Sequence, residues 1–506
     1  MKKTIFLFLC ASTIFSATAV AQNEVEALRY SRLYHAGTAR FSAMGGAFTA
    51  LGGDATTMAF NPAGIGVYRS GEFTLTPNLM YSSQASSYMG NNTSDDRYSF
   101  GLSNIAGIGV INLHQNEGLV NINLGISSSR YNTFSGRTAV QGSPVSEGGS
   151  YLAYFADLAN AYGTPEYPKG EQSLAYETWI IDDDTINGGY IPSYDLRGND
   201  TEDRRNAETW GSIREFDFSL GGNISHIFYF GLTVGIQNIS YSKDLTDENR
   251  NMLNVDENAP YDGFFYDQTY RQSGTGYNFK AGFIARPFVY SDFLTGLRIG
   301  AAIHTPTFIN MNDEWEWELE STFFDNDTPE YLYDSEEGET GYDLQTPFKY
   351  MLGAAYTFGS QGSKLRGTLS VDYENVDYSK MKMRTNSNSG NMDFRDANQN
   401  ITTYYKSTNN LRVGGELNYN KFAFRGGYAL YENPYMASAG KGKGDTHIAS
   451  FGVGIQGASS YVDFTYSRLM QKDREYLFYF DDVYNSGEIT HDIVQGNFMV
   501  TFGWRF

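Results

Sequence analysis

Cysteine is almost absent from this sequence, since Cys10 is the only one in 506 residues. We expect the segment that contains it to be removed, which leaves no internal disulfide and no thiolate metal site. Packing and backbone pairing alone must then stabilise the fold. The six histidines are scattered, with no pair at metal-ligand spacing. The sequence therefore predicts no metal site and no cofactor.

Long apolar runs are missing beyond the N-terminus. Lys2 and Lys3, the apolar run 5–15 and the small-residue pattern Ala19-Val20-Ala21 predict a signal peptide over residues 1–21. A single-span anchor is the alternative, but the run is shorter than the ~20 residues that a spanning helix needs. No later run is long enough either, so transmembrane helices are excluded.

Basic residues are few, at 37 Lys and Arg against 58 Asp and Glu. The formal charge of −21 becomes −23 without Lys2 and Lys3, and such a surface repels phosphate backbones. Nucleic acid is therefore excluded as a partner.

Motifs for enzymes and ion sites are also missing, including the Gly-x-Ser-x-Gly elbow, the Walker loop and the Rossmann fingerprint. Asp182-Asp183-Asp184 and Asp325-Asn326-Asp327 do not continue as calcium-binding loops, and we interpret them as solvated loop acids. The sequence thus predicts that the protein is not an enzyme.

Aromatic residues and glycine are abundant, with 39 Tyr, 35 Phe and 54 Gly. In the last ten residues, aromatic and apolar side chains alternate with small or polar ones, which is typical of a half-buried strand. An edge strand of a soluble β-sandwich is the alternative. The terminal Phe506 resembles the C-terminal signature of proteins that the outer-membrane assembly machinery inserts.

The same alternation recurs along the chain, often with charges on one face. Charged residues at alternate positions of otherwise apolar strands need a solvated face of the sheet, which a polar barrel lumen provides. We therefore predict an all-β fold, a fourteen-stranded antiparallel transmembrane β-barrel over residues 71–506. Its predicted strands are 71–84, 97–114, 118–134, 211–226, 228–243, 264–286, 294–321, 341–358, 364–384, 400–418, 421–433, 444–457, 460–481 and 487–506.

Connection lengths orient this barrel, because short turns face the periplasm and long loops face outward. Tight turns are predicted at 115–118, 361–364, 418–421 and 457–461, and long loops at 244–263, 324–340, 385–399 and 481–487.

The longest outward insertion, residues 135–211, is expected to have its own fold. Its helical spacing of apolar residues indicates either a capture site for hydrophobic ligands or a cap that packs on the barrel rim. The candidate capture residues are Tyr151, Phe155, Leu158, Tyr162 and Trp179.

Residues 22–70 precede the first strand and are rich in small residues. Glycine pairs permit positive φ, and Asn-Pro followed by Ala-Gly is turn chemistry. A compact segment of this kind suits the inside of a narrow barrel, with a loosely ordered periplasmic leader as the alternative. Its candidate gating residues are Gly45, Gly46, Gly52, Gly53, Asp54, Asn61, Pro62, Ala63 and Gly64.

The run from Gly45 through Asp54 to Asn61-Pro62-Ala63-Gly64 resembles the N-terminal hatch of the FadL/TodX family. These are outer-membrane transporters of long-chain fatty acids and aromatic hydrocarbons. The resemblance is specific over about residues 36–70 and in the final strand, and architectural between them. It implies fourteen strands, a hatch that blocks the lumen, and helical outer loops that form a capture groove.

The resemblance also implies sideways release of substrate beside a kinked third strand. Gly125 and the serines at 127–129 fall in the third predicted strand, where we expect them to weaken pairing. The insertion 135–211 falls where the family carries its first large helical loop, but no ligand contacts can be carried over.

These observations predict passive outer-membrane transport of fatty acids or other small hydrophobic compounds by a monomer surrounded by outer-membrane lipid. Three alternatives stay open: a haem-binding receptor, a barrel lipase, and a structural or adhesive barrel. The sequence has no evident His or Tyr pair on a shared loop, which counts against haem binding, and no Ser-His constellation, which a lipase would need. A large energised receptor is disfavoured because fewer than 50 residues lie between the predicted signal peptide and the first strand.

Overall fold

A computed structural model describes most of the chain. The described residues are 24–34, 36–143, 150–165, 169–194, 196, 200–253, 260–291, 293–325, 328–359, 363–390, 392–439, 442–479 and 485–506. The predicted signal peptide, residues 1–21, lies outside them, as do Asn326 and Asp327. Within these ranges, every helix is too short or too polar to cross a membrane.

Strands dominate the fold. The twenty strands are β1 Glu72–Tyr88, β2 Asn91–Asn112, β3 Leu119–Thr133, β4 Gly136–Gly142, β5 Ile181–Asp183, β6 Tyr190–Pro192, β7 Thr201–Ile224, β8 Phe228–Asn251, β9 Tyr261–Ala285, β10 Leu297–His304, β11 Phe308–Asp325, β12 Thr328–Gln345, β13 Lys349–Phe358, β14 Leu365–Asp377, β15 Lys382–Thr385, β16 Ser407–Tyr419, β17 Phe422–Tyr431, β18 Lys443–Gln456, β19 Ser460–Glu475 and β20 Ile489–Arg505. The helices are α1 Glu24–Ser31, α2 Ala39–Ala43, α3 Thr57–Phe60, α4 Tyr151–Tyr162, α5 Glu171–Glu177 and α6 Arg395–Tyr404, with 3-10 helices at Pro62–Val67, Tyr378–Lys380 and Ala437–Ala439.

The strands form a closed antiparallel barrel. β1 pairs with β2 on one side and with β20 on the other, which closes the sheet. Four barrel strands are interrupted and consist of two consecutive elements each: β3 with β4, β10 with β11, β12 with β13, and β14 with β15. Counted in this way the barrel has fourteen strands, and the predicted architecture is confirmed.

The outer wall of the barrel is apolar. In β20, Phe498, Phe502 and Trp504 are exposed on the outside, whereas Met499 and Thr501 are buried toward the lumen. The same outward exposure of large apolar side chains recurs in the other strands. An apolar outer band around a polar interior is what a lipid bilayer requires of a barrel.

Several predicted outer loops are strands instead. β1 and β2 meet at the two residues Met89 and Gly90, β8 continues to Asn251, and β12 already begins at Thr328. Beyond the bilayer both faces of a strand contact water, so the alternation that marks a spanning strand disappears. For the same reason the insertion is shorter than the predicted 135–211: β4 pairs with residues 203–209 of β7, and the insertion spans 143–200.

Residues 24–68, apart from His35, lie inside the barrel, and we call them the lumenal segment. Side chains of the barrel wall hold its backbone: Asp372 accepts from the Thr49 N–H at 2.8 Å, and Arg298 donates to the Leu51 carbonyl at 2.8 Å. Further wall side chains that donate to its carbonyls are Ser103, Tyr131, Thr233 and Thr465. Because buried backbone groups need partners, the wall determines the path of a segment that has little regular structure of its own.

The described part of the insertion forms an outer cap over the barrel, built from α4, α5 and the β5–β6 hairpin. Its apolar core includes Leu152, Phe155 and Leu174, which pack with Phe264 and Phe478 of the barrel rim. The Tyr151 hydroxyl of α4 donates to Asp247 of β8 at 2.6 Å, and the Ser321 hydroxyl of β11 donates to the Thr178 carbonyl of the cap at 2.6 Å. The cap is therefore fixed to strands and loops from both sides of the barrel.

Candidate functional site

A cavity of about 890 Å³ lies in the lumen, between the lumenal segment and the outer end of the barrel. α1 and the residues after it form one side, and the inner faces of β17 to β20 form much of the rest. Its lining is rich in apolar and aromatic side chains, including Leu28, Tyr131, Tyr241, Tyr431, Leu469 and Ile493. A volume of this size is within the range of pockets for small-molecule ligands.

The charged lining of this cavity is predominantly basic, although the whole chain is strongly acidic. Six basic side chains, Arg29, Arg32, Arg130, Lys243, Lys472 and Arg474, face three acidic ones, Glu24, Asp473 and Glu475. Arg32 donates to the Thr446 hydroxyl at 3.0 Å and stacks on Tyr34. Within the described chain, neither Arg32 nor Lys243 forms an ion pair within 4.0 Å, although Glu475 acts electrostatically on Lys243 and Arg32 acts on Asp473.

The barrel wall beside the cavity is incompletely paired. The register of β2 with β3 stops at Asn104 and Ser129, and among the described strands only β1 pairs with residues 91–102 of β2. On the other side, β3 has a register shift at Tyr131 and ends at Thr133, and β4 pairs with β7. We call this boundary between residues 91–103 and residues 130–142 the seam.

Side chains replace the backbone ladder along the seam. Arg214 donates to the Leu102 carbonyl, Arg97 donates to the Thr209 carbonyl at 3.1 Å, and the Thr93 hydroxyl donates to the Ala139 carbonyl. Arg130 both lines the cavity and donates to Asn78 of β1 at 2.8 Å. Separating two strand edges that are joined by side chains requires less free energy than separating a continuous ladder, because no run of backbone hydrogen bonds has to break together.

The expected weakness of the third strand lies slightly further along than predicted. Gly125 and Ser127 to Ser129 remain in register with β2, and the seam begins directly after them. Gly125 instead provides space on the lumenal side, where a Cβ would meet the sulfur of Met58 at 2.3 Å. The glycine thus allows the lumenal segment to approach the wall closely.

The predicted gating residues form the compact middle of the lumenal segment. Gly45, Gly46, Gly52 and Gly53 all have positive φ, between 62° and 75°. Gly45 is the only one of the nine candidates that lines the cavity, and it packs on the backbone of Tyr428. Side chains at these four positions would strain the backbone.

The other candidates connect parts of the segment to each other and to the wall. Asp54 accepts from the Thr38 hydroxyl at 2.7 Å and from the Thr56 N–H at 2.9 Å. Asn61 donates to the Thr49 carbonyl at 2.6 Å and accepts from the Ala63 N–H at 3.2 Å. Two further contacts complete the arrangement: the Gly53 N–H donates to the Gly64 carbonyl at 3.0 Å, and Pro62 lies against Gly231 of β8.

The five candidate capture residues lie in the outer cap and do not line the cavity. Tyr151 and Phe155 are buried in its core, and Leu158 is half-buried. Tyr162 and Trp179 are 61% and 63% exposed. The buried pair serves packing, and capture by the exposed residues stays a prediction.

Sequence reasoning missed the basic lining of the cavity. The basic residues lie in α1, directly after α1, and in β3, β8 and β19, which are far apart in the sequence. The alternation along each strand indicates which side chains face the lumen, but it does not indicate which charged side chains lie close together there.

A buried acid in α1 makes this side of the cavity pH-sensitive. Gln272 donates to Glu26 at 2.6 Å and to Asp313 at 2.9 Å, so the two carboxylates share one amide. Burial, and then the Asp313 charge, raise the pKa of Glu26 from 4.5 to about 8. The folded state thus keeps a proton that the unfolded chain releases above pH 4.5, and the stability of α1 falls as pH rises toward 8.

We expect hydrogen exchange protection of residues 24–31, corrected for intrinsic rates, to decrease between pH 6 and pH 9. Glu26→Gln keeps a neutral side chain at this position and should remove the decrease. An equal decrease in the variant would show that another group is responsible.

Comparison with known proteins places the fold. No protein-family model matches the sequence, and no curated protein matches it either. A crystal structure of a Pseudomonas aeruginosa FadL homologue aligns with a TM-score of 0.53 at 12% identity, over 94% of this chain and 99% of that one. Two structures of the Pseudomonas putida toluene transporter TodX align with TM-scores of 0.51 and 0.50 at 11% and 10% identity, over 94% and 93% of this chain and 99% and 98% of theirs. The similarity is one of fold, and the predicted FadL/TodX-type architecture is confirmed.

Proposed function

We propose that this protein is an outer-membrane channel for the passive passage of small hydrophobic compounds. The cavity that borders both the seam and the lumenal segment carries the proposal. The lumenal segment acts as a hatch, because wall side chains pair its backbone and it fills the lumen below the cavity. A ligand that cannot continue downward has a route sideways, through the seam into the bilayer. The FadL homologue and the toluene transporter with this fold support the assignment.

We further propose that the preferred ligand is an anionic amphiphile of the long-chain fatty acid type. Its chain would contact the tyrosines and aliphatic residues of the cavity, and its carboxylate would lie near Arg32 and Lys243. The excess of basic side chains in the lining supports an acid over a neutral hydrocarbon. Burial of the chain drives partition at about 25 cal/mol per Å² of apolar area, and no energy source is required.

Binding of a fluorescent long-chain fatty acid to the detergent-purified protein tests this function. We expect saturable binding, and tighter binding of the acid than of its methyl ester. Arg32→Gln and Lys243→Gln should each weaken binding of the acid about tenfold or more, because hydrogen bonds to charged groups contribute about 1.5–3 kcal/mol. Both variants should leave binding of the ester unchanged.

Lys421→Gln is the matched control, since Lys421 lies in a two-residue turn away from the cavity. Deletion of residues 36–65 should also weaken binding if the hatch forms part of the site. Equal binding of acid and ester would contradict the fatty-acid assignment and favour a neutral hydrocarbon. Lack of saturable binding by either probe, in a barrel shown to be folded by its heat-modifiable gel mobility, would contradict the transport assignment.

A further inference from the structure

The connection between β9 and β10 differs from the other turns at its end of the barrel. Its described residues, 286–291 and 293–296, expose four large apolar side chains. Tyr290 is 94% exposed, Phe293 84%, Phe288 44% and Leu294 42%. The turns Asn420-Lys421 and Gly457-Ala458-Ser459, at the same end of the barrel, carry polar or small side chains. We call residues 286–291 and 293–296 the apolar turn.

Internal hydrogen bonds give the apolar turn a defined shape. The Ser291 N–H donates to the Phe288 carbonyl at 3.0 Å, and the Leu297 N–H donates to the Leu294 carbonyl at 2.9 Å. The Thr295 hydroxyl donates to the Val289 carbonyl at 3.2 Å. The exposed aromatic side chains are therefore presented by an ordered backbone.

The turn is continuous with the lipid-facing surface of the barrel. Tyr356 projects from the outer face of β13 and donates to the Phe293 carbonyl at 2.8 Å. On the other side, Phe228 and Phe283 stack at 5.9 Å on the outer face of β8 and β9, directly where the turn begins. The apolar turn thus extends an aromatic girdle, and such girdles lie at the interface of the bilayer.

We infer that the apolar turn inserts Tyr290 and Phe293 among the acyl chains of the leaflet at the short-turn end of the barrel. Its occupant is membrane lipid, because the turn joins the outer wall rather than the lumen mouth. Two aromatic side chains in the leaflet fix the height of this side of the barrel in the bilayer. Docking of a protein on the turn would require these side chains to project into water instead.

Depth measurement by spin labelling tests this inference. Tyr290→Cys and Phe293→Cys can be labelled selectively, because Cys10, the only native cysteine, lies in the predicted signal peptide. Both sites are exposed, so the label leaves the barrel intact. The labelled protein is reconstituted into phospholipid vesicles, and collision of the nitroxide with oxygen and with a water-soluble nickel complex is compared.

Two further sites calibrate the measurement: Phe424→Cys on the lipid-facing wall, and Ala458→Cys in a polar turn at the same end. Labels at positions 290 and 293 should resemble position 424, with high access to oxygen and low access to nickel. Nickel access equal to that of position 458 would overturn the inference, because the turn would then project into water. Low access to both reagents would also overturn it, and would indicate that protein covers the turn.

Discussion

A reducible cross-link across the seam should abolish uptake of a long-chain fatty acid while leaving its binding unchanged. The two sites are Thr93→Cys on β2 and Ala139→Cys on β4. The Thr93 hydroxyl reaches the Ala139 carbonyl, so a short bis-thiosulfonate linker spans this pair. If ligand leaves the cavity sideways, joining the two edges removes the route, and uptake falls at least tenfold.

Uptake is measured with a labelled fatty acid, in cells of a bacterium that lacks its own channel for such compounds. Reduction of the linker should restore uptake within the same sample. The control pair is Thr246→Cys and Asp267→Cys, which lie opposite each other on the continuous β8–β9 ladder. A linker there joins strands that are already paired and should have no effect.

The outcomes separate the route from the function. Uptake that persists with the seam joined would contradict the lateral route, while unchanged binding would leave the ligand assignment in place. Ligand would then have to pass the lumenal segment, and deletion of residues 36–65 would increase uptake. Equal loss with both pairs would indicate that the linker itself disturbs the barrel.

The number of strands could be predicted because the bilayer imposes a local rule. Every spanning strand must alternate apolar and polar residues, so Phe498 and Phe502 are informative without knowledge of their neighbours. The rule ends at the membrane surface, which is why the sequence predicts loops where β8 and β12 extend beyond it. There, packing between neighbouring strands, rather than alternation, maintains the sheet.

The candidate site was less predictable because its parts are joined only in three dimensions. The glycine pairs at 45–46 and 52–53 signalled a compact segment, since their conformational requirement is local. The partners of that segment, such as Asp372 and Arg298, come from strands hundreds of residues later. The seam depends on which strand each edge pairs with, and no single strand sequence contains that information.

The buried charges below the cavity should have the largest effect on stability. Arg425 donates to Glu416 and to Asp463, both at 2.6 Å, and it is almost fully buried. Arg40 of the lumenal segment binds the same Glu416 at 2.9 Å and also donates to the Gly53 carbonyl at 2.8 Å. The four side chains connect β16, β17 and β19 with the lumenal segment.

We expect Arg425→Met to lower the free energy of unfolding by about 3–5 kcal/mol, because it leaves a buried carboxylate without its cation. Glu416 keeps Arg40, whereas Asp463 loses the only ion-pair partner that it has within the described chain. Arg425→Met combined with Asp463→Asn should therefore recover most of the lost free energy of unfolding, since the amide at position 463 leaves no buried charge without a partner. Urea titration in detergent, followed by heat-modifiable gel mobility, measures these differences.

Arg395→Met serves as the control because Arg395 is 89% exposed in its side chain, and replacing it should change stability by less than about 0.5 kcal/mol. A loss that Asp463→Asn does not repair would assign the effect to packing of the Arg425 side chain rather than to charge. Because Glu416 links this network to Arg40, a charge-based loss should also loosen the lumenal segment. Faster hydrogen exchange at residues 39–53 in Arg425→Met, reversed in the double variant, would show that the wall charges hold the segment in its closed position.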